Sequence, residues 1–186
     1  AMGADRASHL SDRKFAGADT LATSHALAGA LRTLDYDLII TGRQAIDGDT
    51  AQVGPQIAEH LGLPQVTYVE DLQYDEKKSF TIKKSTEEGY ELLEVEAPCL
   101  ITVLATANKA RYMSVRGIVE AYDRDVEVWC CDNIRVDETS LGLKGSPTRV
   151  FKSFTKGAKA AGQLYEVDPA EAADIIVNKL KEKFII

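Results

Sequence analysis

The stretch Gly42 to Gly54, GRQAIDGDTAQVG, holds the densest set of groups able to handle an anion. Its far end leads into a helix, whose first N–H groups lack intrahelical partners and lie at the positive end of the dipole. A phosphate is stabilised at such a place without a basic side chain. Gly48 lets the backbone approach closely, and Thr50 and Gln52 can donate hydrogen bonds. Asp47 and Asp49 would repel a phosphate, so they read as helix caps or as partners of Arg43. The spacing of Asp49 and Gln52 equally fits a capping box, a purely structural role. Pro55 lies beyond the first turn counted from Asp49, so it requires either a kink or a later helix start. The stretch lacks both the Gly-Lys-Ser/Thr ending of a Walker loop and the GxGxxG fingerprint.

Other chemistry is sparse. His9, His25 and His60 are scattered along the chain and none shares a local motif with Ser or Cys, so they read as surface or packing residues. Cys99, Cys130 and Cys131 are wrongly spaced for a zinc site or a disulfide framework. Neighbouring cysteines in a strand point to opposite faces, which leaves Cys130 and Cys131 to packing. Lys77, Lys78, Lys83 and Lys84 sit among acids and read as a solvated face.

These residues need elements to position them. Ala7 to Leu10 is a strand candidate, followed over Ala18 to Leu34 by Leu27, Leu31 and Leu34 on one helix face. Asp37 to Thr41 reads as a strand buried on both faces. Val53, Ile57 and Leu61 mark a helix that Gly62 and Pro64 stop, and Gln65 to Val69 resumes strand character. This βαβαβ order predicts a parallel sheet whose ligands sit beyond the carboxyl ends of its strands. Phe80 to Lys83, Tyr90 to Val95 and Leu100 to Leu104 then read as an antiparallel meander. Val115, Ile118 and Tyr122 mark a short helix, and Val126 to Trp129 a further strand. Leu141 to Gly162 is rich in Gly, Ser, Thr and Lys and reads as an extended connection with few core residues. Asp168, Pro169 and Glu171 form a capping-box start for a helix to about Phe184, with an apolar stripe of Ala173, Ile176, Leu180 and Phe184. That stripe must be buried, and another chain is the favoured cover.

The whole composition agrees with a folded α/β domain. The chain has 186 residues, 45% of them hydrophobic and 27% charged, enough for one core. Its 22 basic and 29 acidic side chains give a net charge of −7, which disfavours nucleic acid and anionic membranes as partners. No apolar run reaches the roughly 18 residues of a membrane helix, and the start does not read as a signal peptide, so a soluble, cytoplasmic protein is expected.

GRQAIDGDTAQVGPQIAEHLG makes the match specific: the chain resembles the β subunit of electron-transfer flavoprotein. ARYMSVRGI at Ala110 to Ile118 is similar to that family's recognition loop, GSPT at Gly145 to Thr148 to its late turn, and the final helix to its C-terminal arm. The likeness is strongest to bifurcating forms paired with butyryl-CoA dehydrogenase in anaerobes. The resemblance implies an α/β fold: a three-layer, Rossmann-like nucleotide-binding core of the adenine nucleotide α hydrolase kind, with an antiparallel meander and a C-terminal helical arm. The core would span residues 1–145, and 146–186 would be a linker and an arm packing on an α subunit. Gly42, Arg43, Gln44, Ala45, Asp47, Gly48, Asp49, Thr50, Ala51, Gln52 and Val53 would surround a nucleotide phosphate, of AMP in ordinary members and of a second FAD in bifurcating ones. Val115, with Arg111, Tyr112, Met113 and Arg116, would anchor an acyl-CoA dehydrogenase.

Two departures stand out. Ala110 replaces the usual Pro before Arg-Tyr, and the family's opening strand with its Lys-Gln-Val-Pro motif is not in this sequence, so the resemblance implies only the phosphate half of a site. The implied function is that of an electron carrier, not an enzyme on its own. NADH would reduce the β-bound FAD, whose electrons then part between ferredoxin or flavodoxin and the α-bound FAD. The alternatives are a non-bifurcating carrier holding AMP, or a universal-stress-type nucleotide-binding module.

Overall fold

Gly, Pro and Asp residues divide the chain into short elements. A computed structural model describes residues 1–75, 78–155, 157 and 162–185. These fall into two compact units, Ala1–Arg149 and Val150–Ile186.

In the first unit, strand β1 (Ser8–Leu10) leads to helix α1 (Thr20–Leu31), β2 (Leu38–Gly42) and α2 (Val53–Leu61). The long strand β3 (Gln65–Tyr74) turns into β4 (Ser79–Thr86) and β5 (Gly89–Glu96), after which come β6 (Cys99–Val103), α3 (Val115–Tyr122), β7 (Glu127–Trp129) and the short turn α4 (Gly142–Gly145). Five strands make one mixed sheet in the order β2-β6-β3-β4-β5, parallel from β2 to β3 and antiparallel from β3 to β5, while β1 pairs in parallel with β7 alone.

Several expectations are corrected. Cys99 to Val103 is no third strand of the meander: it is the central parallel strand, between β2 and β3. The reason is burial on both faces, since Cys99, Leu100 and Ile101 are all closed to solvent and CLITV has no polar face to turn outward. Conversely, β2 is an edge strand whose Ile40 is 59% exposed, so it is not buried on both faces. The first strand does not neighbour β2 either. Helix α1 stops at Leu31, which leaves Leu34 outside it and exposed.

Two clusters hold the sheet. On one face, α1 and α2 pack Leu27, Leu31, Ile57 and Ala58 against Ile39 and Leu100. The second cluster joins Val66, Val69, Phe80, Ile82, Cys99 and Ile101 from β3, β4 and β6. Val66 and Val69 are three residues apart yet share it, because the register of β3 on β6 shifts between them. Tyr68 is the extra residue, with φ of 58°.

The region from Leu141 contributes more core than its composition suggests. Leu141 and Ser146 are buried, the first against Ala26 and Cys131. Ser146 Oγ accepts from Asp19 N (2.8 Å) and donates to Gly142 O (2.7 Å). Thr148 N and Oγ1 donate to Asp19 Oδ2 at 3.1 and 2.8 Å, so the Gly145 to Thr148 turn is tied to the start of α1. The predicted connection continues through 156 and 158–161, which lie outside the described residues.

In the second unit, helix α5 (Pro169–Glu182) is capped by Asp168, whose side chain accepts from Ala170 N and Glu171 N. It ends two residues before Phe184, which has φ of 55° and therefore does not extend the stripe. Ile176 is exposed and Val177 partly so.

Candidate functional site

Parallel register brings the carboxyl ends of β2 and β6 side by side at Gly42 and Val103, and sets them level with Val69 within the longer β3. Open α/β sheets bind ligands at such a rim. Residues 43–52 leave it from β2 and enter α2, whereas 104–114 leave it from β6 and enter α3. Both sequence-predicted clusters thus start from adjacent strands.

The first loop contains a tight turn, with Asp49 N donating to Ala45 O at 3.0 Å. Asp49 and Ala51 hold positive φ, 51° and 53°. Such φ is uncommon outside glycine and clusters where a site over-determines the backbone. Gly48, expected to let the backbone approach a ligand closely, has an ordinary φ, and a Cβ there would meet nothing within 4 Å. The acids are satisfied within the loop: Gln44 Nε2 donates to Asp49 Oδ1, and Gly48 N donates to Asp47 Oδ1 at 3.0 Å. Neither pairs with Arg43, which makes no ion pair among the described residues. Donors from the loop itself neutralise part of the repulsion that two carboxylates would direct at an anion.

Helix α2 begins late. Its N-cap is Gln52, without a side-chain cap bond, so the Asp49–Gln52 capping box does not form. Pro55 then occupies the third helical position, where a missing N–H costs no helical hydrogen bond. Val53 and Gly54 are left as the free backbone donors of the first turn. Thr20 Oγ1 donates to Gln52 Oε1 (3.0 Å), so the amide NH2 of Gln52 is available as a donor. The donor set of Val53 N–H, Gly54 N–H, Gln52 amide, Thr50 hydroxyl and the unpaired Arg43 suits a phosphate.

Sequence reading missed Gly54. A Cβ there would lie 2.7 Å from Thr41 Oγ1 and 2.8 Å from Thr102 Cγ2. Only glycine lets the first turn of α2 come this close to β2 and β6. It also missed Asp19, whose Oδ1 accepts from Ala22 N to cap α1. Burial works to raise the Asp19 pKa, but hydrogen bonds from Ala22 and Thr148 hold it below the ordinary carboxylate value. The Asp-Thr pair before an Ala-rich helix was the available signal.

Two of the three scattered histidines meet. The rings of His25 and His60 stack with centroids 3.9 Å apart. His60 Nε2 lies 3.0 Å from Ser24 Oγ, and since Ser24 donates to Leu21 O (2.7 Å), the proton between them belongs to Nε2. Desolvation, with His25 and Arg32 nearby, pushes the His60 pKa down. The pair packs α1 against α2. Cys131 is buried at the start of a 3-10 turn, which pushes its thiol pKa up, and Cys130 precedes that turn instead of lying in a strand. Lys83 and Lys84 pair with Glu70 and Glu91 on the meander surface, while Lys77 lies outside the described residues.

In the second loop, Arg111, Tyr112 and Met113 are exposed, Tyr112 to 99%. Ser114 caps α3 by accepting from Gly117 N, and Arg116 pairs with Glu120 at 2.6 Å. Val115 is 81% exposed, and Val115, Ile118, Val119 and Tyr122 form an apolar face at i, i+3, i+4 and i+7 of a helix in which no residue is buried.

A family model described as electron transfer flavoprotein domain matches residues 1–130. The chain is 54% identical over 186 residues to a Clostridium acetobutylicum protein named electron transfer flavoprotein subunit beta, covering all of this chain and 71% of that protein. It is 49% identical over 188 residues to subunit CarD of the caffeyl-CoA reductase-Etf complex of Acetobacterium woodii, covering all of this chain and 71% of CarD. An acryloyl-CoA reductase electron transfer subunit gamma from Anaerotignum propionicum is 44% identical over 197 residues, covering all of this chain and 72% of that subunit. No helix among the described residues is long and apolar enough to cross a membrane.

Proposed function

The chain belongs to the electron transfer flavoprotein family as a β-type subunit, and from that premise we propose that its Gly42 to Val53 loop holds the phosphate of FAD in a bifurcating electron carrier. The observation that carries this reading is the start of α2 at Val53, which leaves the N–H groups of Val53 and Gly54 without helical partners at the end of the loop that follows β2. When bound, the flavin supplies two-electron acceptance from NADH and one-electron transfer onward.

The residues of the chain bind and orient. Val53 and Gly54 N–H would donate to phosphate oxygens, with Thr50 and Gln52 adding side-chain donors and Arg43 the compensating charge. The turn closed by Asp49 N and the Gln44 to Asp49 bond keep the loop in one shape, so little ordering cost falls on binding. No group of the chain is needed for acid or base chemistry.

The exposed apolar face of α3, with Tyr112 and Met113, would dock an acyl-CoA dehydrogenase, and the stripe of α5 would pack on the α subunit. Relatives named for caffeyl-CoA and acryloyl-CoA reductase systems support a CoA-ester enzyme as the partner. The test is nucleotide content of the purified α/β complex. Two flavins per dimer are expected. One flavin with one AMP would leave an ordinary carrier, and a complex retaining neither nucleotide on β would overturn the phosphate-loop reading.

A further inference from the structure

Tyr68 combines features that packing alone does not require. It has φ of 58°, a left-handed conformation that is costly for a bulky side chain, and the residue is 39% exposed. The strain is held in place from one side: Tyr68 N donates to Thr102 Oγ1 at 3.2 Å, and Thr102 is 2% exposed. The same threonine packs its methyl group against Gly54, the second residue of α2. One buried side chain therefore ties the bulge of β3 to the turn where the nucleotide loop enters its helix. Tyr68 stands one residue before Val69, which lies level with the carboxyl ends of β2 and β6, while β3 itself runs on to Tyr74.

We propose that Tyr68 is a ligand-contacting residue of the nucleotide site, its aromatic ring set at the sheet rim by a bulge that Thr102 locks to the first turn of α2. The inference rests on the phosphate-loop reading and assigns the rim beside that loop to an aromatic ring system of the bound nucleotide, adenine or isoalloxazine. Aromatic side chains suit such rings because stacking needs a face and not a particular hydrogen-bond pattern. Thr102 is the positioning residue, acting through the backbone of Tyr68.

The experiment uses the complete α/β complex with FAD and AMP as probes, and reads dissociation constants by equilibrium dialysis together with thermal melts. Tyr68→Asn removes the ring but keeps a residue that tolerates the left-handed region, and Tyr68→Gly relieves the strain altogether. Both are expected to melt no lower than about the wild type and to bind on the order of tenfold more weakly. Tyr68→Phe keeps the ring and should bind like wild type. Thr102→Val, which removes the acceptor at nearly constant shape, should fall between them. Weakening of both probes places the contact on the adenylate, and weakening of FAD alone places it on the flavin; either supports the proposal. If wild type binds a probe and Tyr68→Asn and Tyr68→Gly bind both equally well, the bulge is only structural and the proposal is overturned. If the wild-type complex binds neither probe, the failure lies in the phosphate-loop reading, and the proposal falls with it.

Discussion

At the scale of single residues, Gly48 in the loop and Gly54 at the start of α2 call for opposite outcomes. Gly54→Ala puts a methyl group 2.7 Å from Thr41 Oγ1 and 2.8 Å from Thr102 Cγ2, so α2 must move off the sheet. A loss of about 1–3 kcal/mol in urea unfolding is expected, the usual cost of overpacking. Gly48→Val meets open space, so its stability should stay within about 0.5 kcal/mol of wild type while nucleotide retention falls, because the branched side chain stands where the ligand approaches. Equal nucleotide retention in the two proteins would remove Gly48 from the site. The stacked histidines make a pH prediction. The pKa of His60 is lower in the folded chain than the ordinary imidazole value of about 6.5, so it is neutral in both states above that pH and contributes nothing to the slope. Below it the unfolded chain binds a proton that the folded chain refuses, and stability falls. Asp19 adds loss at lower pH, since the stability from its depressed pKa is complete above the ordinary carboxylate range and is lost as pH falls from there through the folded value. His60→Gln should flatten the decline in urea midpoint between pH 7.5 and 5.5. An unchanged decline would assign it to other groups.

At the scale of elements, the apolar face of α3 is the case where exposure decides. Val115→Ala removes a side chain that is 81% exposed, so the melt of the complex should not shift beyond the equivalent of about 0.5 kcal/mol. Reduction of an acyl-CoA dehydrogenase should slow severalfold. Equal reduction rates would show that α3 faces something else. Elements were legible in the sequence where their signals are local. The cap at Asp168, the stop at Gly62 and the periodicity of α2 each depend on residues within one or two turns. Pairings were not. The central position of β6 follows from contacts with β2 and β3, which stand dozens of residues earlier, and only its lack of a polar face hinted at it. The loop residues have the types expected of a phosphate-binding loop, and the phosphate itself belongs to the proposed function. The strain at Asp49, Ala51 and Tyr68 was not legible, because none is glycine and their backbone is set by neighbours distant in sequence. The meeting of His25 and His60 likewise depends on how α1 crosses α2.

At the scale of the molecule, the division at Arg149 and Val150 sets what can be removed. Ser146 and Thr148 belong with the first unit through their bonds to Asp19, so a cut at residue 145 would take away groups that hold the start of α1. A cut after Arg149 spares them. Deleting Val150 to Ile186 removes α5 and the exposed Phe151, Phe154 and Ile176, none of which belongs to the buried clusters of the first unit. The truncated chain should therefore keep the circular dichroism spectrum of an α/β fold and a melt close to that of the intact chain. Its association with the α subunit should weaken by orders of magnitude. Burying the α5 stripe at roughly 25 cal/mol per Å² yields several kcal/mol before ordering costs are subtracted. Each loss of about 1.4 kcal/mol is tenfold in affinity. Co-purification with α, scored per folded molecule, is the measurement. A collapsed melt with undiminished α binding per folded molecule would assign α5 to the first unit's own stability and leave the α subunit to bind elsewhere.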